Sequence, residues 1–120
     1  MTEYEIQKAF VTWCRSHPDE RPRLIYAIPN ESRRTWSHAQ KRRSEGMISG
    51  VADLHLPVPV CDEYGYNYEP GLFIEVKTPR GKLTPAQKAF KFSCDEYGYP
   101  YHVIRSVDDG IKLITNYLSL

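Results

Sequence analysis

The sequence has no apolar run near the roughly 20 residues that a membrane-crossing helix needs, and its amino terminus does not read as a secretory signal. The expected compartment is therefore the cytoplasm, of a bacterial cell or a phage-infected host. Cysteine is scarce and odd in number: Cys14, Cys61 and Cys94. An odd count does not suit a secreted disulfide framework, and no Cys-x-x-Cys or close Cys/His pairing supplies a zinc knuckle. Free thiols are expected. Net charge is nearly absent at +1, so the protein as a whole is not basic, and only the distribution of charge can point to a partner.

What is present is enough for one domain spanning residues 1–120. Apolar residues make up 41% and charged residues 26%, which argues against global disorder. TEYEIQKAFVTWC carries Ile6, Phe10, Trp13 and Cys14 at helical spacing, and Thr2 with Glu5 forms a capping box. Glu5 thus has a local role, and Glu3 is expected to point inward beside Ile6 and Phe10. RLIYAIP reads as a strand and Ser37–Glu45 as a short helix closed by Gly46. VADLHLPVPV and GLFIEVKTP read as two more strands, the first degraded by Pro57 and Pro59. Thr84, Pro85 and Gln87 open a helix, YHVIRS is a strand, and Ser106 caps a last amphipathic helix. This order predicts an α/β domain with a mixed central sheet flanked by helices.

The hexapeptide Cys-Asp-Glu-Tyr-Gly-Tyr occurs twice, from Cys61 and from Cys94. A duplicated module would repeat its neighbours, and these differ: one copy follows a strand, the other a helix. Two independent turns are expected, with Gly98 ending the helix before it.

Chemistry concentrates in GVADLHL and FIEVK. Glu75 and Lys77 lie two apart on a strand and so share a face. Desolvating both costs several kcal/mol unless each finds a partner. If the Asp53 strand is the neighbour, Asp53 and Glu75 approach across the sheet. Two readings stand on spacing alone. One is a buried Glu75–Lys77 ion pair. The other is a site in which two carboxylates hold Mg²⁺ and the lysine orients a water or steadies a phosphate.

SEGMISGVADLHL followed by GLFIEVKTPRGKLTPAQ resembles the VRR-NUC family of the PD-(D/E)xK superfamily. The matching parts are Glu3 with Gln7, Gly50 through Asp53, Glu75-Val76-Lys77, and Gly81 through Gln87. The resemblance implies a restriction-endonuclease-like core and metal-dependent endonuclease activity on DNA phosphodiesters. Asp53, Glu75 and the Val76 carbonyl would hold Mg²⁺ or Mn²⁺, Glu3 would help bind the metal or its waters, and Lys77 would be the catalytic lysine. Gln87 would support the site from the following helix, although its capping box with Thr84 explains it equally well. One departure is Ala52, where the superfamily name implies Pro.

Arg33, Arg34, Lys41, Arg42, Arg43, Arg80 and Lys82 are candidate phosphate contacts. Trp36 reads as a base-stacking platform or as a staple for the short helix. Tyr64, Tyr66 and Tyr68 read as DNA contacts or as packing within a hairpin. His55 shares the Asp53 face and reads as a supporting residue behind the site or as a satisfied strand histidine. A homodimer would suit a two-fold branched DNA substrate. The alternative is a nucleic-acid-binding or accessory protein without cleavage.

Overall fold

The computed structural model describes residues 1–29, 40–41 and 43–120. Helix α1 (Glu3–Arg15) starts at the Thr2 cap, where Thr2 and Glu5 complete the reciprocal capping box. It buries Ile6, Phe10 and Cys14. The expected strand over residues 23–29 is much shorter. Pro22 opens a 3₁₀ turn (Pro22–Leu24), because a fixed φ and a missing N–H suit a helical first position. Only Tyr26–Ala27 remain as β1. Strand β2 (Leu54–Leu56) is likewise cut short, ahead of Pro57 and Pro59. Strand β3 (Leu72–Val76) is followed by helix α2 (Pro85–Glu96), strand β4 (Tyr101–Ile104) and helix α3 (Val107–Leu118). Ser106 caps α3 by accepting from the Asp109 amide.

The sheet runs β1-β2-β3-β4. The β1/β2 and β2/β3 pairs are antiparallel, and β3/β4 is parallel, so the sheet is mixed as expected. Strand alternation gives β3 two opposite faces. Leu72, Ile74 and Val76 enter the main core with α1, α3 and β2 residues. At its centre Phe10 lies on Gly110 of α3, where any Cβ would overlap the ring. Phe73 turns to the other face, where Phe90, Ala52, Cys94 and Tyr101 form a second, smaller core under α2. Glu75 and Lys77 follow Phe73 on that side.

The repeated hexapeptide makes two unrelated turns. In the first copy, Asp62 pins a loop by accepting from the amides of Tyr64 and Tyr66 at 3.0 and 2.8 Å. Tyr64, Tyr66 and Tyr68 are all exposed there, so packing within the hairpin does not account for them. The second copy closes α2: Gly98 takes φ +75° and the Tyr99 amide donates to Cys94 O at 2.8 Å, a Schellman ending. Cys14, Cys61 and Cys94 are free thiols.

The short helix expected over residues 37–45 is described only at its end. Gln40, Lys41, Arg43 and Ser44 are helical and Gly46 follows with φ +107°. Arg33, Arg34, Trp36 and Arg42 lie outside the described residues. Among the described residues no helix is long and apolar enough to cross a membrane.

Candidate active site

The β2/β3 register sets Leu54 opposite Ile74. Continued one step, it sets Asp53 opposite Glu75, at the end of the sheet where α2 begins. The contact runs through the backbone, where the Val76 amide donates to Asp53 Oδ2 at 2.9 Å, and through a hydrogen bond between the Asp53 and Glu75 carboxyls. Glu75 is 2% exposed and Lys77 6%, so the desolvation expected from the sequence is real. No ion pair joins Glu75 to Lys77 among the described contacts. Glu75 instead receives Gln87 Nε2 on Oε1 at 2.7 Å. Its other oxygen, Oε2, is buried without a hydrogen-bond partner.

Electrostatics tie these groups into one cluster. Burial, then the Asp53 carboxylate, pushes Glu75 up to about 8, against the pull of Lys77. Burial also raises Asp53, opposed by the hydrogen bond from the Val76 amide, and the Glu3 charge raises it further. Glu3 is exposed in the first turn of α1 rather than turned inward as expected. Its charge acts on Asp53, but no group of three or more His, Cys, Asp or Glu among the described residues is close enough to hold a metal ion. The groups that could share a cation are Asp53, Glu75 and the Val76 carbonyl.

Gln87 fills both roles read from the sequence. Its Oε1 accepts the Thr84 amide at 2.9 Å, its own amide donates to Thr84 Oγ1, and its NH₂ group reaches Glu75. The Gly50 turn that precedes Asp53 is packed on the same helix start. A Cβ at Gly50, φ +84°, would run into the Ala86 backbone. Ala52, which stands where a proline was anticipated, is buried beside Cys94 and Tyr101. The pieces GVAD, EVK and GKLTPAQ therefore converge through backbone contact and one side-chain amide.

A family profile decides what this convergence belongs to. The VRR-NUC domain matches residues 2–108. The chain belongs to the VRR-NUC domain family. A solved structure described as a VRR_NUC domain protein has the same fold, with a TM-score of 0.79 at 24% identity, over 99% of this chain and 89% of that one. No curated protein matches the chain. VRR-NUC is a nuclease-type domain, which makes nucleic acid the expected partner class.

Lys41, Arg43, Arg80 and Lys82 are exposed. Arg80 and Lys82 leave the site on the loop after Lys77. That loop is held by Arg105, which sequence reasoning missed: its Nη1 donates to the carbonyls of Thr78 at 2.8 Å and Gly81 at 2.6 Å. His55 is a satisfied strand histidine, bonded to Tyr26 Oη at 2.7 Å and stacked on Phe73. Burial lowers its pKa, which favours the neutral ring.

Proposed function

We propose that this VRR-NUC protein is a metal-dependent endonuclease that hydrolyses DNA phosphodiester bonds. The observation that carries the reading is the buried Glu75, which faces Asp53, is backed by Lys77, and keeps Oε2 without a partner. Two facing buried acids, of which Asp53 raises Glu75, with an open oxygen and a nearby carbonyl, fit a hard divalent cation such as Mg²⁺ or Mn²⁺. Asp53, Glu75 and the Val76 carbonyl would hold it, with Glu3 serving its waters. When bound, the cation supplies Lewis acidity to the scissile phosphate and its attacking water.

The chain's own residues do the rest. Lys77 is the catalytic lysine: its ammonium orients the water or steadies charge on the phosphoryl oxygen in a site shielded from solvent. Gln87 holds Glu75 in place. Lys41, Arg43, Arg80 and Lys82, with Arg33, Arg34 and Arg42, contact the phosphate backbone and set register rather than sequence. Branched DNA cut by a homodimer is the substrate form we propose, because a two-fold junction matches a two-fold enzyme.

The test is cleavage of labelled single-stranded, duplex, flap and four-way-junction DNA with Mg²⁺, Mn²⁺ or EDTA, beside Lys77→Ala. Metal-dependent cutting that Lys77→Ala abolishes is the expected result. Intact DNA binding with no cutting of any substrate would leave a binding module instead. Light scattering with and without junction DNA reads the dimer.

A further inference from the structure

Two buried side-chain oxygens lack a hydrogen-bond partner among the described residues: Glu75 Oε2 and Tyr101 Oη. They are complementary, one a carboxylate acceptor and the other a phenolic donor. Their placement is also complementary. In the parallel β3/β4 pair, Phe73 lies opposite Tyr101 and Glu75 opposite Val103. Tyr101 therefore sits diagonally from Glu75 on the same face of the sheet, within reach of a long side chain. Its ring is fixed in the smaller core against Ala52 and Cys94, and meets Phe90 at a centroid distance of 6.1 Å. Burial and then the Glu75 and Asp53 carboxylates raise the phenol's pKa, so the group stays an O–H donor beside two acids.

We propose that Tyr101 is a positioning residue for Glu75: its hydroxyl, which makes no direct bond to Glu75, donates to Glu75 Oε2 across one bridging water, opposite the Gln87 bond on Oε1. A carboxylate oxygen has room for both a donor and a cation. Glu75 is then gripped from α2 on one oxygen and from β4 on the other. The carboxylate plane is fixed before a metal arrives, as outer partners of metal ligands commonly do. The metal part rests on the nuclease reading above, whereas the hydrogen bond does not.

The test is a thermal-melt cycle on full-length, metal-free protein in EDTA, with Tyr101→Phe made alone and in a Glu75→Leu background. Tyr101→Phe is expected to lower Tm by about 4 °C in the wild type, the loss of one buried hydrogen bond. With Leu at position 75 the hydroxyl is an unpaired buried donor, so the same change is expected to raise Tm. An equal shift in both backgrounds, or none, overturns the proposal. The second readout is the Mg²⁺ concentration giving half-maximal cleavage, expected to rise about tenfold in Tyr101→Phe with little loss of rate at saturation. An unchanged midpoint in an active enzyme also overturns it. If the wild type cuts no DNA, the nuclease reading fails while the melt cycle still decides the hydrogen bond.

Discussion

Gln87 Nε2 donates to Glu75 Oε1 across 2.7 Å while the oxygen of the same amide closes the cap of α2 on Thr84. The helix start and the buried acid are thus coupled through one side chain. A glutamate would satisfy the cap equally well, but it has no N–H to offer Glu75.

Gln87→Glu therefore separates the two roles. The cap is kept, and a second carboxylate is pressed against Glu75. The variant is expected to melt below the wild type at about pH 8 and to approach it near about pH 5, where the pair can share a proton. Circular dichroism melts at the two pH values check this. Equal deficits at both would show that only the cap matters.

The metal-free protein has a built-in pH slope. Glu75 in the fold is pushed up to about 8, above the ordinary glutamate range, and Asp53 is raised as well. An acid with a raised folded pKa stabilises while protonated, and that contribution is lost as pH rises through the folded value. Stability in EDTA is expected to fall between the ordinary carboxylate range and about 8. Glu75→Gln should flatten the slope, and millimolar Mg²⁺ should restore Tm in the wild type only. A slope that survives Glu75→Gln assigns it elsewhere.

Arg105 replaces solvent as the partner of two loop carbonyls. Arg105→Met keeps most of the stem and removes the donors. A loss of about 2 kcal/mol is expected from chemical denaturation, with faster amide exchange around Gly81. Lys82→Ala on the same loop is expected to leave stability within about 0.5 kcal/mol, as exposed surface changes usually do. Matching melts for the two variants would remove Arg105 from its role.

Gly50 and Gly46 both have positive φ, but they differ in surroundings. At Gly46 an added Cβ meets nothing within 4 Å, whereas at Gly50 it strikes the Ala86 backbone. Gly46→Ala should cost about 1 kcal/mol, the strain alone. Gly50→Ala is expected to cost more than about 3 kcal/mol, because α2 or the turn must shift as well. Urea titrations of the two variants give the comparison directly.

Local signals carried far in this chain. Caps at Thr2, Thr84 and Ser106 were readable because cap chemistry involves residues three apart. The shared face of Glu75 and Lys77 was readable because strand alternation is local too. The apolar pattern at 23–29 overstates strand length, because Pro22 starts a 3₁₀ turn instead. Arg105 and Tyr101 gave no signal. One bonds to backbone carbonyls more than twenty residues away, and the other reads as an ordinary aromatic of a half-buried strand. Glu3 was placed on the right helix, but its exposure depends on how α1 sits against the sheet, which helical periodicity does not fix.

Strand β3 sends alternate residues to opposite sides. Leu72, Ile74 and Val76 hold the domain together, while Phe73, Glu75 and Lys77 stand over the smaller core and the acid pair. Inheritance can act on the two sets separately. A lineage can erase or retune its chemistry by point changes on the second set and still pass on a sound scaffold. On the proposed nuclease reading, forms that keep the shape without cutting are therefore within one or two substitutions of this sequence.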